Sequence, residues 1–171
     1  TEWLRDYAAL PPRRDHSVRT FISRDHAASQ IIGYNKVAFI FHMLSEKVGK
    51  ENFKHSIRWF WEQHKFQKAS WEDIQRTFEE TSGLDLQAFF EQWLDRSGAP
   101  RLKLSKVNLD ADKISFTLSQ LDPPYFLDVP IRIITKDDQK FFQVSISNKI
   151  SKVNLQLPDA PVSISVDPDF D

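Results

Sequence analysis

Histidine is the side chain best suited to bind a metal or move a proton near neutral pH, and this chain has five. No two of them have the H-E-x-x-H spacing, in which a glutamate stands between two histidines one helical turn apart. His55 and His64 fall on opposite sides of a helix by angle, so they cannot share a metal. The others are His16, His26 and His42. The histidines therefore predict no zinc site within the chain, and the absence of cysteine excludes thiolate ligands and nucleophiles.

Other familiar catalytic patterns are also missing. The sequence has no G-x-S-x-G motif, and its four glycines leave no room for a phosphate-binding loop. We expect the carboxylate pairs Glu79-Glu80 and Asp137-Asp138 to stand in solvated, turn-like contexts. The remaining candidate is Tyr34, followed closely by Lys36. Because a tyrosine at the start of a helix usually serves packing or a local hydrogen bond, a catalytic interpretation needs more than the residue itself.

Composition and charge narrow the class of protein. Hydrophobic residues make up 40% of the chain and aromatic residues 13%, which predicts a packed core. The 23 basic and 24 acidic residues balance, so neither nucleic acid nor an anionic membrane is an expected partner. The longest apolar run, Val37 to Phe41, is far shorter than the ~20 residues of a membrane span. Met43 is the only methionine, so we expect Thr1 to follow further coding sequence that carries missing site residues.

The elements that must position Tyr34 are helical. Residues 1–33 predict an irregular lead-in, and apolar spacing predicts four helices within residues 34–99. The first ends at Gly49, the second runs from about Glu51 to His64, the third is capped by Ser70 with Asp73, and the fourth is capped by Asp85. The spacing places four apolar residues on one face of the second helix: Phe53, Ile57, Phe60 and Trp61.

After Pro100 the apolar period changes from 3.6 to 2. Six short alternating runs separated by turn signals predict an antiparallel β-sandwich over residues 100–171. Pro130 lies inside the third run, which predicts an edge position or a bulge there. The fold class is therefore α+β, with helices followed by strands.

An ordered series of short motifs resembles the aminopeptidase N family of zinc metallopeptidases. The region around Tyr34 and Lys36 is similar to the Y-x-K-G-A stretch of that family, although Val37 replaces the glycine. Further similar stretches follow in the same order: His42-Met43-Leu44, Gly49, Phe53, Ala69 to Asp73, Ser82 to Leu86, Phe89 to Leu94, and Gly98-Ala99-Pro100. Asp128-Val129-Pro130 and Val166-Asp167-Pro168 continue the resemblance through the strands.

The resemblance implies the helical C-terminal part of a thermolysin-like catalytic domain followed by a β-sandwich domain. In that family a zinc ion is held by H-E-x-x-H and a downstream glutamate. The tyrosine of Y-x-K-G donates a hydrogen bond to the oxyanion of the reaction. Carried over, Tyr34 is the oxyanion stabiliser and Lys36 supports it, whereas the zinc ligands and the general base are absent from these residues. Val37, in place of the family glycine, puts a branched side chain beside this site.

Two functions stay open at this point. The parent protein either removes N-terminal residues from peptides as a zinc enzyme, or is an inactive homologue in which the sandwich is a scaffold or protein-binding module. In both cases the isolated chain should be inactive and bind no cofactor. Its expected partners are the remaining catalytic half of the parent and, in the parent, a peptide substrate. Trp59 points away from the inner face of its helix, which favours self-association through the helical part. The residues indicate no compartment.

Overall fold

A computed structural model describes residues 9–21 and 30–168. The chain divides into two compact units, Thr1–Gly98 and Ala99–Asp171. Of the predicted irregular lead-in over residues 1–33, the parts at 1–8 and 22–29 lie outside the described residues. The described part between them contains two short 3-10 helices, Pro12–Arg14 and Val18–Thr20.

The four predicted helices are present in the first unit. Helix α1 is Val37–Val48, α2 is Lys50–His64, α3 is Trp71–Ser82 and α4 is the short Gln87–Phe90. The helical region begins earlier than the predicted Tyr34, because a π-helical turn at Ile31–Lys36 leads directly into α1. A second π-helical turn, Glu91–Asp95, continues α4. Among the described residues, no helix combines the length and the apolar character needed to cross a lipid bilayer.

Helix α2 buries a narrower face than its apolar spacing predicts. Ser56 is fully buried, and its hydroxyl lies 2.5 Å from the Thr81 hydroxyl of α3. The rings of Phe53 and Phe78 also meet between these helices, with centres 5.4 Å apart. Ile57 and Trp61, which the spacing places on the same face as Phe53, are 41% and 58% exposed.

The third helix begins as predicted. The Ser70 hydroxyl accepts a hydrogen bond from the Asp73 backbone N–H at 3.2 Å, and the Asp73 carboxylate accepts one from the Ser70 N–H at 2.9 Å. This reciprocal pair satisfies two backbone groups that the first turn of a helix leaves unpaired. Hydrogen bonds from Ser70 are the main reason that the pKa of Asp73 lies below its usual value. Helix α4 starts one residue later than predicted, although the Asp85 carboxylate accepts a hydrogen bond from the Gln87 N–H at 3.0 Å.

The second unit consists of two three-stranded antiparallel sheets. The strand order is β1-β2-β5 in one sheet and β4-β3-β6 in the other. Buried residues from both sheets form one apolar cluster, to which β2 contributes Ile114, Phe116 and Leu118. The strands are β1 Leu102–Leu109, β2 Lys113–Gln120, β3 Leu127–Thr135, β4 Gln139–Ile146, β5 Ile150–Gln156 and β6 Pro161–Val166.

Pro130 is not on an edge strand, because β3 is the central strand of its sheet. It pairs with Gln143 of β4 without a register shift, so the predicted bulge is absent at this position. On the other side, the pairing with β6 starts one residue later, at Ile131. The Pro130 carbonyl accepts a hydrogen bond from the Asp167 N–H at 2.8 Å, beyond the end of β6. A residue without an N–H is tolerated there because the ladder on that side has ended.

Candidate active site

Tyr34 lies in the π-helical turn immediately before α1, with 53% of its surface exposed. Short π-helical turns are rare within helices and are frequent at functional sites, because the wider turn changes the direction of the side chains it carries. The Tyr34 ring meets the Phe21 ring edge to face, with the ring centres 6.1 Å apart. This contact supports one side of the tyrosine and leaves the phenol side chain accessible.

Gly33 allows this approach of Phe21. A side-chain carbon at position 33 would overlap three atoms of the Phe21 ring, so any larger residue would displace the ring. The glycine is therefore needed here for close contact rather than for an unusual backbone angle. The same ring that fills the space beside Gly33 also touches Tyr34.

Lys36 lies two residues beyond Tyr34 and has the opposite environment. Only 6% of its surface is exposed, and its ammonium donates hydrogen bonds to the carbonyls of Arg96 at 2.9 Å and Gly98 at 3.2 Å. Lys36 thereby joins the π-helical turn to the chain that follows Asp95. This position fits a supporting residue that fixes the backbone next to Tyr34, and it separates Lys36 from solvent.

Asp15 completes the surroundings of Lys36. Its carboxylate accepts a hydrogen bond from the Gly98 N–H at 2.6 Å, so Gly98 bonds to Asp15 through its nitrogen and to Lys36 through its oxygen. Gly98 has a φ of 83°, a conformation that residues with a side chain rarely adopt. Burial lowers the pKa of Lys36, the negative charge of Asp15 opposes that effect, and the positive charge of Arg96 adds to it.

A metal ion does not fit the described residues. No group of three His, Cys, Asp or Glu side chains that could hold one occurs within residues 9–21 and 30–168. The His64 ring stacks on Phe60 with centres 4.7 Å apart, and its Nδ1 lies 3.1 Å from the Phe60 carbonyl oxygen. His64 therefore has a local packing contact at the end of α2. No catalytic step through zinc is derived from these residues.

Sequence reasoning missed the residues that surround Tyr34 and Lys36. Asp15 and Phe21 belong to the segment predicted as an irregular lead-in, but Asp15 bonds to Gly98 and Phe21 contacts Tyr34. Periodicity carries no information on such long-range contacts. The Gly98-Ala99-Pro100 stretch belongs to the motif series, but the motif itself gives no sign of the hydrogen bond from Lys36 to Gly98.

The sequence matches the Peptidase family M1 domain over residues 13–93. The match includes Asp15, Phe21, Tyr34 and Lys36, and therefore most of the candidate site. It ends before Arg96 and Gly98, whose carbonyls accept from Lys36.

Several curated proteins are similar to the chain. The Tricorn protease-interacting factor F2 of Thermoplasma volcanium is 29% identical over 136 residues, which are 72% of this chain and 16% of the factor. The probable aminopeptidase 1 of Sulfurisphaera tokodaii is 23% identical and aligns with 83% of this chain and 20% of its own length. Aminopeptidase N of Escherichia coli is 29% identical over 91 residues, 53% of this chain and 10% of the enzyme. The chain thus spans a fifth or less of the length of these relatives.

The fold is similar to part of a solved aminopeptidase. The crystal structure of Legionella pneumophila aminopeptidase A in complex with aspartic acid superposes with a TM-score of 0.66 and 21% sequence identity. The superposition covers 85% of this chain and 17% of that protein. At this identity the likeness concerns the fold alone. The sequence match and the aminopeptidase relatives together support an aminopeptidase fragment of peptidase family M1, with residues 13–93 as the part that matches the family domain.

Proposed function

We propose that the chain is a part of a zinc aminopeptidase that removes N-terminal residues from peptides, and that Tyr34 stabilises the oxyanion of this reaction. In this proposal the four helices are the C-terminal part of a thermolysin-like catalytic domain, and the two sheets form a β-sandwich domain after it. The shared apolar cluster of the two sheets supports the sandwich. The family match and the aminopeptidase relatives support the activity.

One observation carries the role of Tyr34: an exposed phenol is held on a π-helical turn that a buried lysine fastens two residues away. A phenol is a neutral hydrogen-bond donor near neutral pH. Such a donor stabilises a transition state when it is aimed at the oxygen on which negative charge develops. Tyr34 would donate its O–H to that oxygen, while Lys36 would hold the turn.

The zinc ligands and the general base of such an enzyme would come from residues other than those of this chain, which has no H-E-x-x-H sequence. The isolated chain should therefore neither hydrolyse aminoacyl-anilide substrates nor bind zinc stoichiometrically. Metal analysis and a chromogenic peptidase assay test both statements. One zinc per chain, together with turnover that a chelator abolishes, would refute this part of the proposal.

The role of Tyr34 is tested in the whole protein that contains this chain. Tyr34→Phe should lower kcat by about 10²–10³-fold, the usual loss when one oxyanion donor is removed, with little change in KM and none in zinc content. Tyr125→Phe is the matched control, because Tyr125 is a buried tyrosine of the second unit. Equal rates for the two variants would remove Tyr34 from the mechanism. A whole protein without peptidase activity would instead favour the inactive homologue with a scaffold or binding role.

A further inference from the structure

Residues 12–21, here called the strap, contact several other parts of the first unit. Asp15 accepts a hydrogen bond from the Gly98 N–H, and Val18 is 2% exposed. The Arg19 guanidinium bonds to the carboxylates of Glu72 and Asp95. Phe21, at the end of the strap, meets the Tyr34 ring edge to face. The strap is therefore anchored along its length, and its last ring lies against the candidate catalytic side chain.

The strap and the π-helical turn that carries Tyr34 both bond to residues 95–98. Arg19 bonds to Asp95 and Asp15 bonds to Gly98, whereas Lys36 bonds to the carbonyls of Arg96 and Gly98. Residues 95–98 thus bond both to the strap and to the π-helical turn. Asp15 bonds to the Gly98 N–H and Lys36 bonds to the Gly98 carbonyl. A displacement of the strap that moves Gly98 therefore also moves a hydrogen-bond acceptor of Lys36.

We propose that the strap positions Tyr34, with Asp15 and Phe21 as the positioning residues. This inference rests on the proposed role of Tyr34 and adds how that side chain is held. Phe21 restricts the ring directly, and Asp15 acts through Gly98 and Lys36 on the backbone of the turn.

The physical need for such a device follows from the exposure of Tyr34. A side chain with half of its surface in solvent has few neighbours that restrict its rotamers, and an oxyanion donor must be held close to its productive position. Misplacement by about 1 Å can cost as much as 10²-fold in rate. An edge-to-face ring contact and a fixed backbone limit the two motions, ring rotation and displacement of the turn, that would misplace the phenol.

The first test uses the 171-residue chain and does not depend on activity. The chain is labelled with fluorotyrosine and studied by ¹⁹F NMR, the Tyr34 signal is assigned with Tyr34→Phe, and the Tyr125 signal is the internal reference. Phe21→Ala and Asp15→Ala should each shift the Tyr34 signal and leave the Tyr125 signal in place. Trp59→Ala, at an exposed position of α2, is the control and should leave both signals unchanged. An unshifted Tyr34 signal in both strap variants would overturn the proposal.

The second test is a double-mutant cycle in the whole protein. Phe21→Ala and Asp15→Ala should each lower kcat about tenfold with KM changed less than twofold, because the misplaced phenol affects the transition state. In a Tyr34→Phe background the same substitutions should lower kcat no further, because they act through a hydroxyl that is already absent. A further tenfold loss in that background would show a general structural role and overturn the proposal.

Milder variants keep the test decisive if an alanine variant does not fold. Phe21→Leu keeps apolar bulk without an aromatic edge, and Asp15→Asn keeps an acceptor for Gly98 without the charge near Lys36. Each should shift the Tyr34 signal by less than its alanine counterpart, and no shift in either would contradict the proposal.

The role of Tyr34 and the positioning role of the strap can fail separately. If Tyr34→Phe leaves kcat unchanged, the proposed function fails; if Tyr34→Phe lowers kcat and the strap variants do not, the positioning role fails.

Discussion

At the scale of residues, the short sequence Tyr34-Asn35-Lys36 combines one exposed and one buried functional group. Lys36 is an amphipathic side chain that ordinarily reaches solvent, yet here its ammonium binds two backbone carbonyls in a nearly closed site. A buried cation is tolerated when hydrogen bonds and an opposite charge compensate for lost hydration, and Asp15 supplies that charge. Tyr34, two residues earlier, remains half exposed.

The core of the first unit depends on large aromatic residues, of which Trp93 is one. Only 8% of its surface is exposed, on the π-helical turn Glu91–Asp95. Trp93→Ala should lower the free energy of unfolding of this unit by about 3–5 kcal/mol, the range for truncating a large aromatic side chain in a core. Chemical denaturation followed by far-UV circular dichroism near the helical minimum measures this, because all four helices lie in this unit.

The matched control for Trp93 is Trp59→Ala. Trp59 is 42% exposed on α2, so its truncation should cost far less than that of Trp93. A loss below about 1 kcal/mol for Trp93→Ala, or equal losses for the two variants, would contradict the packing described for Trp93.

At the scale of elements, residues close in sequence determine where a helix ends, whereas contacts between residues distant in sequence determine which of its faces is buried. The capping box of α3 involves residues 70 to 73, so its signal is contained in four positions of the sequence. The contact of α2 with α3 depends instead on where Ser56 meets Thr81, which are distant in sequence. Ser56 is fully buried at this contact, whereas the adjacent Ile57 is 41% exposed.

Ser70→Ala should destabilise the first unit by about 1 kcal/mol, since it removes the acceptor for the Asp73 N–H. Glu80→Ala is the control on the same helix: Glu80 is exposed and lies outside the first turn, so its removal should change stability by less than about 0.5 kcal/mol. Urea denaturation of the two variants and the unsubstituted chain measures the difference. Equal stability of the Ser70 variant and the control would show that the cap contributes nothing to α3.

At the scale of the whole molecule, both compact units expose large apolar side chains. The first unit leaves several aromatic and aliphatic side chains exposed along and after α2. Trp61 and Phe66 are in ring contact with centres 6.4 Å apart, and Phe66 is 96% exposed. The second unit also exposes large apolar side chains, among them Phe126 and Phe141.

Self-association through the helical part remains a prediction, and exposed apolar surface is its physical basis. Sedimentation should show a concentration-dependent increase in mass that Trp61→Lys weakens, because a charge replaces apolar contact area. Phe141→Lys, on β4 of the second unit, is the control and should leave the association unchanged. A monomer at millimolar concentration would contradict the prediction. Loss of association with Phe141→Lys alone would assign the contact to the sheets.

The sequence by itself determined the parts of this protein that depend on short stretches of chain. Helix ends follow from caps such as Ser70 with Asp73, and strands follow from the alternation of apolar residues. The family followed from the order and spacing of motifs, which need no knowledge of contacts. Tyr34 and Lys36 were singled out in the same way, as members of one local motif.

Tertiary structure decided what depends on residues far apart in the chain. No local pattern in the sequence identifies the π-helical turn at Ile31–Lys36, the exposure of Trp61 or the central position of Pro130 in its sheet. The contacts of Asp15 with Gly98 and of Phe21 with Tyr34 belong to the same class. Periodicity specifies which face of an element is apolar, whereas burial depends on the shape of what that face meets.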